Sequence, residues 1–280
     1  AMPVVELVEV FRQAAESEIV CNAHLINRGE LPRLESSKDR LSDFYFMRQD
    51  DPDRAADIIV DLVKNHIPRR FQLDPFDEIQ VLSPMHKGTV GAANLNLRLQ
   101  QALNPEGEAL QRGERLYRLG DKVMQIRNNY QMEWEIRGRY GVVIEKGVGV
   151  FNGDTGILRE INEFAETAEV EFEDGRFAMY SFKQLEELEL AYAITIHKSQ
   201  GSEYPAVILP LLSGPQMLLN RNLLYTAVTR ARKCVTVVGN EETFAEMIRN
   251  EKQQKRYSAL DERIRELSET TGDNNTDGEE

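Results

Sequence analysis

The stretch AITIHKSQGSEY, Ala193 to Tyr204, decides the fold. Its apolar opening belongs to a strand candidate that runs from Leu190 to Thr195, and its continuation delivers His197, Lys198, Ser199, Gln200 and Gly201 together at the strand's carboxyl end. Open α/β sheets bind ligands at such ends. Hydroxyls, amides and a glycine on a tight turn hold phosphate oxygens through backbone and side-chain donors, and Glu203 offers an acceptor to a ribose hydroxyl. An ordinary polar loop between a strand and a helix has the same composition, so these residues by themselves leave both readings open.

Downstream, LLNRNLLYTAVTRARKCVTVVG spans Leu218 to Gly239. It reads as a helix over Arg221 to Arg230 that ends in Arg230, Arg232 and Lys233 before an apolar strand, Cys234 to Val238. Three cations at a helix end also simply complement the negative end of its dipole. Upstream, the pattern from Val4 to Gly29 suits a short strand and a helix, DFYFM at Asp43 to Met47 suits a strand, and Ala55 to His66 has amphipathic helical spacing that Pro68 is expected to end. EIQVLS at Glu78 to Ser83 is a short buried strand followed by a loop and a helix from about Val90 to Leu103. Strand and helix in alternation predict a parallel sheet covered by helices.

Between Leu119 and Leu185 the rhythm changes to short strands divided by Gly, Asn and Asp, with a hairpin turn at Glu173 to Gly175. Helix and strand alternation then resumes, so the segment is expected to be a small β-barrel inserted into the α/β domain. The tail from Leu267 to Glu280 carries five acids and no bases and is expected to be disordered.

A chain of 280 residues with 41% hydrophobic and 29% charged content can bury a large core. It has no run long and apolar enough for a membrane helix and no signal-peptide pattern at its start, so it reads as intracellular. Two cysteines, Cys21 and Cys234, and four scattered histidines argue against a disulfide framework and a metal site. The net charge of −13 argues against nucleic-acid binding through bulk charge while leaving room for a narrow groove. Ala1-Met2 reads as a remnant ahead of a pattern that starts in mid-course, as expected of a piece of something longer.

Taken in order, these segments resemble the superfamily one helicases, and within them the RecD-like and TraA-like branch, over nearly the whole chain. VEVFRQA at Val8 to Ala14 resembles motif IV, SPMHKG at Ser83 to Gly88 the segment between motifs IV and V, TIHKSQGSEY at Thr195 to Tyr204 motif V, and LLYTAVTRARK at Leu223 to Lys233 motif VI. GDKVMQIRNNY and VFNGDTG resemble the two ends of the family's inserted barrel. The resemblance implies a RecA-like parallel sheet, the second motor domain, over 1–118 and 186–266, with an SH3-like insertion over 119–185. The sequence has no G-x-x-x-x-G-K-[ST] phosphate loop. Asp77-Glu78 and Asp261-Glu262 imitate a magnesium-binding pair, yet neither follows an apolar strand. In the family both features lie in the preceding motor domain, which is expected to bind most of the ATP and Mg2+, leaving this chain alone inactive.

The resemblance further implies an ATP-dependent DNA helicase that translocates on single-stranded DNA, 5′ to 3′, as a monomer in the bacterial cytoplasm. Arg12 and Arg230 would be the catalytic cations, and Gln13, Gly201 and Glu203 would meet the nucleotide. Thr195, His197, Ser83, Lys87 and Asn94 would contact DNA from the motor domain, and Arg127, Asn128, Asn129 and Asn152 from the barrel, where Lys122 and Trp134 are further positions. The barrel's eight bases against twelve acids over 119–183 keep any DNA path there local, and Phe151, Phe172, Phe177 and Tyr180 are expected in its core. Two other readings are a non-enzymatic module that binds nucleic acid or protein, and the relaxase-helicase branch used in conjugation.

Overall fold

Alternation along one apolar run sets the layers. Val207, Leu209 and Leu211 face one side of their strand, while Ala206 and Ile208 face the other, and all five are buried. A strand covered on both faces belongs inside a helix-flanked parallel sheet. The computed structural model, which describes residues 17–32, 34, 42–251 and 263–264, has that sheet. Its strands are β1 (Phe44–Arg48), β2 (Ile79–Ser83), β12 (Ala193–Thr195), β13 (Tyr204–Leu211) and β14 (Ala231–Gly239), in the order β1-β14-β13-β2-β12 with every pair parallel. Helices α1 (Glu18–Arg28), α5 (Arg221–Val228) and α6 (Glu241–Arg249) cover one face through Ile26, Leu224 and Phe244. Helices α2 (Pro52–Asp61) and α4 (Ala92–Leu103) cover the other through Ile59, Leu95 and Leu99. The α/β class expected from sequence is therefore the observed one.

Local chemistry places the helix ends. Ser17 accepts from the Val20 N–H at the start of α1, and Gly29, at φ 79°, closes it. Asp51 accepts from Asp53 and Arg54 ahead of α2, whose first residue is Pro52. The expected stop before Pro68 is a misreading. A π turn, Leu62–His66, follows α2, and Pro68 lies in the first turn of α3 (Ile67–Phe71). The Ile67 N–H donates to the Leu62 carbonyl, so the widened ladder is reset where proline brings no donor.

A hairpin of β3 (Ala109–Arg112) and β4 (Arg115–Arg118) leads into an antiparallel sheet. That sheet holds β5 (Lys122–Gln125), β6 (Asn129–Arg137), β7 (Val143–Val150), β8 (Thr155–Asn162), β9 (Thr167–Phe172), β10 (Arg176–Ser181) and β11 (Leu188–Leu190). Its order is β11-β5-β8-β9-β10-β6-β7. It curls into a barrel-like form, since Val150 near one edge and Leu188 at the other share a core with Leu158, Val170 and Tyr180. Asn129 at the start of β6 donates to Glu187 just ahead of β11, at 3.1 Å. The turn before β10 closes on Gly175 at φ 83°, as its sequence requires.

The chain enters this barrel through Gly120-Asp121 and leaves through Ala191-Tyr192, beside each other because β5 pairs with β11. Asp121 is fully buried and accepts four hydrogen bonds: from Gln100 Nε2 at 2.5 Å, the Arg118 N–H at 2.6 Å, Asn104 Nδ2 at 2.9 Å and the Tyr192 hydroxyl at 3.0 Å. Burial pushes its carboxyl pKa up, and the donors from Asn104, Arg118, Gln100 and Tyr192 each oppose that.

Arg12 and Gln13, the tail over 267–280, and Asp261-Glu262 lie outside the described residues. No helix among the described residues is long and apolar enough to cross a membrane. Removing the Asp121 carboxylate strands several buried donors at once. Asp121→Ala is expected to destabilise the chain by about 3 kcal/mol or more, lowering the thermal midpoint by roughly 6–12 °C in a circular dichroism melt.

Candidate nucleotide and nucleic-acid site

The loop from Thr195 to Tyr204 joins the carboxyl end of β12 to the amino end of β13. After Thr195, a single tight turn, Ile196–Ser199, carries His197 outward and buries Ser199, whose hydroxyl donates to the Ile196 carbonyl at 2.7 Å. Gly201 then takes φ 92°, a left-handed conformation that an L side chain strains to adopt. The chain re-enters the sheet at Tyr204, and burial pushes that phenol up to about 12.

Arg230, two residues beyond α5, reaches back to this loop. Its Nη1 donates to the Ser202 carbonyl at 2.9 Å and its Nε to the Thr226 carbonyl at 3.3 Å, while the Tyr204 N–H donates to the Arg230 carbonyl at 2.8 Å. These bonds go to neutral carbonyls. They fix the guanidinium without cancelling its charge, unlike the carboxylate partners of Arg98, Arg137 and Arg176. Arg230 and Glu203 both line a cavity of 610 Å³, walled by Ile19, Ala23 and His24 of α1 and by Tyr225 of α5. Arg232 holds Glu203 at 2.6 Å at the same cavity. Sequence reading passed over α1 and Tyr225 as walls, because apolar helix positions read only as core.

The expected DNA-contacting residues fall into two groups. Thr195 and Ser83 are direct neighbours at the carboxyl ends of paired strands β12 and β2. Thr195 is half-buried, and His197 and Lys87 are exposed. Ser83 requires correction: it is fully buried, its hydroxyl donates to the Val90 carbonyl at 2.9 Å and accepts from the Met85 N–H, and so it shapes the loop rather than facing a ligand. Asn94 is half-buried and donates to the Thr89 carbonyl at 2.7 Å, bracing the same loop.

The second group meets at one end of the barrel. Arg127, Asn128 and Asn152 are exposed there, and the Asn152 N–H donates to Asn128 Oδ1 at 2.9 Å, which joins two turns far apart in sequence. Asn129 is half-buried against Glu187. Phe172 and Tyr180 are core as expected, and Phe177 is half-buried beneath the Arg137 guanidinium, 4.6 Å from its ring centre. Phe151 is not core. It is 42% exposed and packs edge-on, at 5.7 Å, against Tyr130, which is 68% exposed. Strand alternation holds the signal, since Val150 points inward and its neighbour must point out.

Residues 190–238 match the family model of the UvrD-like helicase C-terminal domain, and residues 95–172 match that of the ATP-dependent RecD-like DNA helicase SH3 domain. The chain is 32% identical over 265 residues to the ATP-dependent RecD2 DNA helicase of Deinococcus radiodurans, covering 95% of this chain and 32% of that protein. It is 31% identical over 198 residues to the RecBCD enzyme subunit RecD of Mycolicibacterium smegmatis, covering 70% of this chain and 31% of the subunit. The chain thus spans about a third of the length of these curated relatives. Among solved structures, it is similar to the Pif1 helicase from Bacteroides in complex with ADP-AlF3 and ssDNA, with a TM-score of 0.47, 18% identity, and coverage of 95% of this chain and 57% of that one.

Two barrel residues stand apart from both groups. Trp134 is half-buried over Gly147, where a Cβ would lie 2.3 Å from its ring. Lys122 is buried, its Nζ makes no hydrogen bond with protein, and it lines a cleft with Asp77 and Glu173. Lys122, buried as it is, is not placed to grip a strand. Burial pushes the Lys122 ammonium pKa down from 10.5, and Glu173, Asp77 and Asp74 oppose that. The folded chain therefore binds fewer protons here than the unfolded one, so this residue's contribution to stability rises with pH until the unfolded amine titrates at about 10.4. Lys122→Met, neutral and of similar length, is expected to raise the thermal midpoint at pH 7, with a gain that shrinks towards pH 10. A midpoint unchanged or lowered at pH 7 would contradict this.

Proposed function

We propose that this chain, a RecD-like helicase C-terminal region, forms the second half of an ATP-driven motor that moves along single-stranded DNA. The observation that carries the reading is Arg230, a guanidinium fixed by backbone carbonyls at a cavity it shares with Glu203, beside the loop that bears Thr195 and His197. We divide the chain as the motifs suggest, with the motor lobe over 1–118 and 186–266 and the barrel over 119–185 as a second grip on the strand.

Bound ATP would supply the phosphoanhydride whose hydrolysis powers movement, held with Mg2+ mainly by a preceding lobe that carries the phosphate loop. The residues present fit the other side of such a ligand. Arg230 would set a permanent positive charge against the equatorial phosphate oxygens, an effect typically worth ~10³–10⁵ in rate. Its planar fork binds two oxygens at once, which lysine cannot reproduce. Arg12 would add a second cation and Gln13 a polar contact. Glu203, steadied by Arg232, would accept from a ribose hydroxyl, and Gly201 would let the backbone approach.

DNA would be held by its backbone at Thr195, His197 and Lys87 and at the barrel end by Arg127, Asn128, Asn129 and Asn152, with bases against Tyr130 and Phe151. Backbone contacts allow sequence-independent movement, 5′ to 3′ by family resemblance. Two grips on separate bodies would change spacing as the nucleotide cleft closes and opens.

In a full-length parent protein, Arg230→Ala is expected to cut DNA-stimulated ATP hydrolysis by ~10³ or more while nucleotide affinity stays within about threefold. Turnover equal to the unaltered enzyme would refute the assignment. The 280-residue chain alone is expected to release no phosphate from ATP, as a phosphate-release assay on pure protein would read.

A further inference from the structure

The loop after β12 is held by a carboxylate from the barrel. Lys198 Nζ donates to Glu189 Oε2 at 2.9 Å, and Arg115 Nη2 donates to Glu189 Oε1 at 3.3 Å. Burial opposes ionisation of Glu189, yet Lys198, Arg115 and His86 together hold its pKa below the usual carboxylate value. The remaining space is nearly filled: the cavity bounded by His86, Asn96, Glu189, Thr195 and Lys198 measures 10 Å³. The side chains of Lys198, Glu189 and Arg115 are still 31%, 28% and 42% exposed, so solutes reach them.

An oxygen anion set between a lysine and an arginine, beside Thr195 and one residue from His197, has the surroundings of a backbone phosphate. We propose that Glu189 is a built-in stand-in for a DNA phosphate: it fills the position between Lys198 and Arg115 that a phosphodiester of single-stranded DNA takes when the strand is bound. The inference rests on the DNA path proposed above. The exchange makes and breaks no covalent bond. Ion pairs this exposed resist a competing anion weakly. Glu189 sits on β11, a three-residue edge strand paired only with β5. Its release would loosen the barrel from the loop of the motor lobe, so that strand capture and barrel movement become one event.

The test is fluorescence anisotropy of a labelled oligothymidylate titrated with the 280-residue chain, repeated over a range of salt. Glu189→Gln removes the competing charge and is expected to tighten binding ~2- to 5-fold and to steepen the salt dependence by about 0.7 in slope. Lys198→Ala is expected to weaken binding, and Lys198→Ala added to Glu189→Gln to erase the gain. A residue that merely braces the fold would give the opposite sign for Glu189→Gln. Equal or weaker binding by Glu189→Gln, with the unaltered chain binding, overturns the stand-in and leaves the DNA path intact. No binding by either chain overturns both. Should Glu189→Gln fail to fold by circular dichroism, Glu189→Asp, which withdraws the carboxylate, is expected to tighten binding by a smaller factor, and equal or weaker binding by it overturns the proposal.

Discussion

A carboxylate with no exposure to water, Asp121, is the constraint on which the rest of the molecule depends. A carboxyl group in that position is tolerated only if hydrogen-bond partners replace its hydration. They come from α4 through Gln100 and Asn104, from the turn before β5 through the Arg118 N–H, and from Tyr192 just ahead of β12. The same four bonds therefore fix a helix that covers the parallel sheet, the way into the barrel and the way out of it. Since the two crossings are adjacent strands, the barrel has one root. Gly120, at φ 88°, makes the turn into that root.

From the root, two short paths lead to the rim of the parallel sheet. Tyr192 precedes β12, whose end delivers Thr195 and the loop to Tyr204, and that loop braces Arg230 through the Ser202 carbonyl. Glu189 precedes the same crossing and holds Lys198. The candidate nucleotide cavity and the candidate strand contacts at Thr195 and His197 are thus tied to one buried carboxyl group through fewer than fifteen residues of chain, by the numbering of Asp121's partner Tyr192 and of Tyr204. On the motor reading, small shifts at the cavity reach the barrel without a long relay. The packed core between is stiff.

Much of this organisation was legible in the sequence. The runs within Glu78 to Ser83, Ala206 to Leu211 and Cys234 to Val238 became buried parallel strands because apolar residues at both odd and even positions of a run fit a sheet covered on both faces. The loop from Thr195 to Glu203 and the cation at 230 do meet, as the motif order implied. What escaped reading depended on direction or on partners far away in the chain. Pro68 marks no helix end because a π turn had already shifted the ladder. Ser83 and Lys122 look like ligand-facing polar residues on paper, yet each lies in a strand whose residues are all buried. Phe151 looks like a core aromatic until strand direction is known. Asp121 gave no signal, since its donors lie 3 to 71 positions away.

The net charge of −13 gains meaning from where the acids stand. In QLEELEL, Gln184 to Leu190, three carboxylates face groups that the DNA reading assigns to the strand: Glu186 lies 3.8 Å from Arg127, Glu187 accepts from Asn129 at 3.1 Å, and Glu189 accepts from Lys198 at 2.9 Å. One short segment between the last barrel strands thus shadows both grips. A surface made only of cations would bind a polyanion tightly and give up each step slowly, because every phosphate contact releases counterions that must return on dissociation. A cation already facing a fixed carboxylate gains less from a phosphate and loses less when the phosphate leaves. Acidity that looks unsuited to a nucleic-acid partner in the composition becomes, at these positions, what a protein needs if it must let go of the strand as readily as it takes hold.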